Sequence, residues 1–195
     1  MIKSYSTQAE RVMLRFDLID RVEVRSYDGD LIKINAFDDF GGYLNFYVEE
    51  RGNFFIISQQ NSNFIEEGDI SKICAVQPVY AAYIIDMPRN KRVDLVIEEG
   101  ICDVNHFDGK LRIELQKGEI HLEPFKGEVD MFLNVGNVHC TINDTEVNIV
   151  TNLGVMETDL TFVNEVKASN SLSGFYQSQK NQLIVKSING NIYLK

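Results

Sequence analysis

Gly100-ICDVNHFD-Gly109-KLRIELQK-Gly118-EIHLEPFK-Gly127-EVDMFLNV-Gly136-NVHCTIND-Thr145-EVNIVTNL-Gly154 is a run of nine-residue units, each opened by glycine except the one that opens with Thr145. Counting on by nines from Gly154 lands again on Gly190. In the five units from Gly109 to Leu153, positions three, five and seven hold 13 apolar residues of 15, from Leu111, Ile113 and Leu115 to Val147 and Ile149. Positions two, four and six hold only two, Phe132 and Val150. Alternation of that kind marks strands with one buried face, and no 3.6-residue rhythm competes with it.

Nine is odd and side chains alternate with period two, so an uninterrupted strand would exchange its faces at every unit. Glycine, free to take positive φ, resets the phase at a turn between seven-residue strands. Two architectures satisfy this pattern. One is an antiparallel meander of tight hairpins, for which Asp108-Gly109 and Asn189-Gly190 are good turn formers and Lys117-Gly118, Lys126-Gly127 and Val135-Gly136 are less typical. The other is a β-solenoid or β-roll-like stack, about eighteen residues per coil, with equivalent residues roughly 4.8 Å apart in neighbouring coils. That arrangement stacks Ile120, Val138 and Met156 on one inner wall. The G-G-x-G-x-D pattern of calcium rolls is missing.

Outside this run the chain is also rich in β-signals but less regular. Strands are expected at 21–26, 30–36, 43–48, 54–59, 79–86 and 92–97, with a polar loop over 60–72 and a strand end at Pro88. Segment 168–174, Ala-Ser-Asn-Ser-Leu-Ser-Gly, reads as a bulge or loop. With 195 residues and no sharp change of composition, the chain divides into an irregular β-rich part, 1–90, and the glycine-unit part, 91–195, of one domain.

A formal charge of −10 disfavours binding to nucleic acid or to anionic membrane surfaces. No apolar run is long enough to span a bilayer or to serve as a signal peptide in the first twenty residues. The chain as it reads is cytoplasmic, or belongs to the cell envelope if an export signal has been trimmed. Cys74, Cys102 and Cys140 form no C-x-x-C pair. Cys102 and Cys140 sit at inward positions about 9.6 Å apart in a coiled stack, too far for a disulfide, and read as buried inert thiols.

Val22-Glu-Val-Arg-Ser-Tyr-Asp-Gly-Asp-Leu-Ile-Lys-Ile-Asn-Ala36, then Ile84-Ile-Asp-Met-Pro88, then the glycine units resemble, in that order, the bacterial putative-adhesin domain of unknown function. The resemblance spans roughly 20–195. It implies a right-handed β-solenoid-like domain with a non-enzymatic, adhesin-like or cell-envelope role, and it supplies no functional residues.

Coil stacking of eighteen residues places Asp103, His121, His139 and Glu157 in one outward ladder, with Glu119 and Glu123 beside it. Imidazoles and carboxylates at that spacing are suitable metal ligands, so His121, His139, Glu119 and Glu123 form a candidate metal set, against the alternative of a solvated polar ladder. Tyr43, Tyr47 and Phe55 are expected to point outward and offer an aromatic surface for a protein or glycan ligand, or to be buried under the 60–72 loop. No nucleophile–base arrangement, phosphate-cradling loop or cofactor fingerprint is present in the sequence. The expected protein is therefore a non-catalytic binding or scaffold module without a cofactor. Its alternatives are a carbohydrate-active enzyme on a β-helix, which would need paired carboxylates in a cleft, and a cytoplasmic assembly protein that self-associates through the ends of its stack.

Overall fold

The computed structural model describes residues 2–37, 45–60, 81–89 and 91–195. Tyr43, Cys74 and residues 61–72 of the loop expected over 60–72 lie outside these residues, and Gln60 is strand. The described chain is all-β, without helix, and its strands join in a large mixed sheet of 14 strands. No helix in it is long and apolar enough to cross a membrane.

The strands are β1 (Ile2–Tyr5), β2 (Arg11–Tyr27), β3 (Ile32–Phe37), β4 (Asn45–Arg51), β5 (Phe54–Gln60), β6 (Ala82–Pro88), β7 (Arg92–Asn105), β8 (Asp108–Leu122), β9 (Lys126–Cys140), β10 (Thr145–Thr151), β11 (Met156–Thr158), β12 (Val163–Ala168), β13 (Ser171–Tyr176) and β14 (Asn181–Leu194). The main path through the sheet is β1-β3-β6-β2-β7-β8-β9-β14-β10-β13-β12. Strand β11 pairs with β14, and β5 pairs with β2 and β4.

Strands β7, β8 and β9 run parallel, with Val93 beside Leu111, Leu111 beside Val129, and Gly118 beside Gly136. Side chains facing each other across these ladders are 18 residues apart, as in the pairs Lys110–Glu128 and Lys117–Glu99. Parallel pairing at that separation is incompatible with two-residue hairpins over this region.

Gly100, Gly109, Gly118, Gly127, Gly136 and Gly190 sit inside the strands rather than in turns between shorter ones, which corrects the seven-plus-two reading; Gly154 alone of the series lies between strands, after β10. Gly100, Gly118, Gly136 and Gly190 stand side by side at one bend of the stack. Gly118 has φ 142°, and a Cβ there would lie 1.8 Å from the carbonyl oxygen of Gly100. The bend thus needs a backbone conformation that L-residues avoid, and brings neighbouring chains too close for a side chain. It also resets the phase: Leu111, Ile113 and Leu115 are buried before it, and Ile120 and Leu122 after it.

The inward residues stack in columns. Val12, Val93, Leu111, Val129, Leu183 and Val147 form one, and Leu14, Leu95, Ile113, Met131, Val185 and Ile149 another, all at most 3% exposed. Each burial of a large aliphatic side chain contributes about 1.5–3 kcal/mol against the entropy of ordering the strand. Strand β2 extends the columns into the N-terminal part, placing Val22 beside Cys102 and Val24 beside Val104. Its first half, 11–20, carries the same inward alternation through Val12, Leu14 and Phe16 and was missed in the sequence. Pro124, at the inward seventh position of the unit that opens with Gly118, is half-buried; the neighbouring Phe125 is the buried ring.

Strand β14 departs from sequence order by inserting between β9 and β10, parallel to both. Ile120 and Val138 are therefore followed in their column by Ile192, and Met156 comes only after it. Within the segment 168–174, Ser169 and Asn170 make the turn between β12 and β13, but Ser171–Tyr176 is a strand that pairs antiparallel with both β10 and β12, and the irregularity in pairing falls between Val163 and Val166. Asn164 takes φ 54° at that point.

Candidate functional site

The outward face of the second half of β7, β8, β9 and β14 carries the most concentrated chemistry among the described residues. Asp103, His121, His139 and Tyr193 occupy adjacent rungs. Glu157, expected beside His139, lies one rung further on, beside Tyr193. Asp103, His121, His139 and Tyr193 line a cleft of about 290 Å³ together with Asn105, Glu123, Thr141 and Lys195.

Each group is held by its neighbours. The carboxylate of Asp103 is almost wholly buried, with Oδ1 2.9 Å from His121 Nδ1 and Oδ2 receiving Arg21 Nε at 3.2 Å. Glu119 follows the bend glycine; Asn137 Nδ2 donates to its Oε1 at 3.5 Å, and Asn191 Nδ2 donates in turn to Asn137 Oδ1 at 3.2 Å. This leaves Glu119 Oε2 3.3 Å from His121 Nε2. His139 meets His121 edge to face at 5.3 Å, and its other face stacks on Tyr193 at 4.7 Å with the rings 8° apart.

Both nitrogens of His121 thus face carboxylate oxygens. A neutral imidazole carries one N–H, so one of the two contacts requires either a second proton or a cation in place of it. Burial lowers the pKa of His139 below its ordinary value, with His121 and Lys195 acting in the same direction and Glu119 opposing them. His139 accordingly offers a neutral ring with a free lone pair near pH 7.

The ligand atoms of Glu119, His121 and His139 lie within 4.8 Å of one another. Glu123, grouped with them in the sequence, is exposed on the rim of the cleft and stands outside this convergent set. The supporting residues Arg21, Asn137 and Tyr193 were not identified from the sequence. Tyr193 had a signal, since it follows Gly190 as His139 follows Gly136. Arg21 had none, because its contact depends on β2 lying against β7.

The aromatic set divides. Tyr47 on β4 is 49% exposed, whereas Phe55 on β5 is 5% exposed. The correction at Phe55 follows from pairing: β5 lies parallel to β2 with Phe55 beside Val12 and Ile57 beside Leu14, so both point into the core columns. The ring of Phe55 also packs on Tyr5 at 6.1 Å. Its neighbour Phe54 is half-buried beneath the Arg11 guanidinium, 4.5 Å from the ring centre. Cys102 and Cys140 are both free and buried, and burial pushes both thiols well above the usual range.

No family model matches the sequence, and no curated protein matches it. Among solved structures, the chain is similar to a protein of Clostridium sporogenes ATCC 15579 described as a putative cell adhesion protein. The two share 13% identity and a TM-score of 0.63, over 100% of this chain and 98% of that one. A putative adhesin of Bacteroides fragilis NCTC 9343 also aligns over 100% of this chain and 96% of its own, at 11% identity and a TM-score of 0.40. At such identities the first likeness is one of fold, and the second carries no argument.

Proposed function

We propose that this chain is a non-catalytic, adhesin-like binding module whose strands wind as a right-handed β-solenoid, regular over 91–195 and less so over 1–90. The observation that carries the functional reading is the likeness of fold, over the full length, to the Clostridium sporogenes protein described as a putative cell adhesion protein. The coil reading is supported by the parallel ladders β7–β8–β9 and by the columns of buried residues that cross them. A stack of this kind presents long, flat outer faces of fixed spacing, which suits recognition of an extended protein or glycan surface. Tyr47 is the exposed ring of the proposed ligand surface, to which the sequence reading adds Tyr43; Phe55 belongs to the core.

Binding of the purified chain to a panel of glycans and extracellular proteins tests the reading, with reducing-end release measured on the same glycans. Binding without turnover is expected, weakened by Tyr43→Ser/Tyr47→Ser at unchanged melting temperature. Turnover of any glycan would instead establish a carbohydrate-active enzyme. A second reading, assembly through the ends of the stack, is favoured by β12, whose six residues are all exposed and include Val166 at 69%. Concentration-dependent sedimentation would reveal it.

A further inference from the structure

We propose that Glu119, His121 and His139 bind a divalent transition-metal ion of the zinc type on the outer face of β8 and β9. Three observations converge on it. The first is spacing. Ligand atoms at about 2.0–2.2 Å from a tetrahedral ion stand about 3.4 Å from each other, and His121 Nε2 is 3.3 Å from Glu119 Oε2. His139 completes a trio within 4.8 Å, and a small rotation of its half-buried ring closes the remainder.

The second observation is the support behind the trio. Asp103 Oδ1 stands 2.9 Å from His121 Nδ1; in the tautomer that donates the Nδ1 proton to this carboxylate, the Nε2 lone pair faces Glu119. A carboxylate behind a histidine in this manner fixes the tautomer and raises the basicity of the coordinating nitrogen. Arg21 anchors the far oxygen of Asp103 at 3.2 Å, and Asn137 anchors the far oxygen of Glu119. All of these side chains project from paired strands rather than from loops, so their backbone positions are fixed by the ladder.

The third is the otherwise awkward pairing of an imidazole nitrogen with a second carboxylate. A cation between Nε2 and Oε2 converts two facing lone pairs into two bonds. Two imidazoles with one carboxylate select a borderline ion such as Zn²⁺ over Ca²⁺ or Mg²⁺, which prefer all-oxygen sets. His121 and His139 also line the neighbouring cleft.

The test is calorimetric titration of Zn²⁺ into the full chain after chelator treatment, with Co²⁺ as the spectroscopic probe. A single equivalent of Zn²⁺ is expected to bind, and Co²⁺ to show ligand-field bands without a thiolate charge-transfer band. His139→Ala, His121→Ala and Glu119→Gln are each expected to abolish binding over the titrated range. Asp103→Asn, a change at a positioning residue, should weaken it by about 10–100-fold. His106→Asn alters the remaining histidine of the chain and should bind as the wild type does. The metal-free melting temperature accompanies every variant; should His121→Ala unfold, Glu119→Gln, whose carboxylate is solvent-accessible, and His139→Ala give the same reading. Failure of the wild type to take up Zn²⁺, undiminished binding by His139→Ala and Glu119→Gln, or a thiolate band with Co²⁺ would each overturn the proposal.

Discussion

Gly118→Ala isolates the feature on which the stack depends. Gly118 has φ 142°, and the Cβ of an alanine would stand 1.8 Å from the Gly100 carbonyl oxygen and 2.9 Å from its carbon. Holding an L-residue in that backbone region costs about 1–3 kcal/mol. The contact itself cannot be relieved by a side-chain rotation, because the obstructing atoms are backbone. The two chains must separate by more than about 1 Å, beyond the range of good hydrogen bonds, at roughly 0.5–1.5 kcal/mol for each bond weakened. With two such bonds weakened the sum is about 2–6 kcal/mol, and a chain of this size loses about 2–4 °C of melting temperature per kcal/mol, so a fall of roughly 4–24 °C is expected. Gly52→Ala is the matched control. Gly52 also has positive φ, 59°, but nothing lies within 4 Å of a Cβ built there, so it pays only the backbone term of about 1–2 kcal/mol. Melting followed by circular dichroism should rank wild type, Gly52→Ala and Gly118→Ala in descending order. If Gly118→Ala melts with or above Gly52→Ala, the close approach of the glycine backbones does not limit stability and the account of the bend fails.

Two further substitutions probe the faces of the stack. Leu122→Asp should unfold the chain, since Leu122 is 1% exposed between Val104 and Cys140 and an unpaired carboxylate there costs several kcal/mol. Glu123→Lys, on the exposed rim, should stay within about 0.5 kcal/mol of the wild type; equal losses in urea titration would show that the faces are misassigned. Ser187→Ala should be neutral or stabilising by up to about 1 kcal/mol, because Ser187 Oγ is buried without a hydrogen-bond partner beside Leu133 and Thr151 and removing it leaves no orphaned polar atom. A clear loss of stability in the same titration would imply a partner for that hydroxyl.

The sequence alone determined the β-class and most of the buried face of the nine-residue units; the ladder from Asp103 to His139 was legible only on the parallel one of the two architectures it left open, and the register of β7, β8 and β9 chose that one. Local alternation gives the burial of Leu111, Ile113, Ile120 and Val138, and once strands stack in parallel at twice the nine-residue period, residues eighteen apart must be neighbours. Only the tertiary structure decided which segment stacks on which. The repeat sets Gly154 and Gly190 in the same phase, so it does not distinguish β10 and β11 from β14 as the neighbour of β9; the choice of β14 replaces Glu157 by Tyr193 against His139. Phe55 failed for a related reason. In Phe54-Phe55-Ile56-Ile57 both faces are apolar, local alternation has no phase, and the pairing of β5 with β2 turns Phe55 inward. Likewise Arg21 reaches Asp103 only because β2, distant in sequence, lies beside β7. Periodicity encodes the spacing of rungs, whereas their order along the stack is chosen by how well whole strands pair and bury one another.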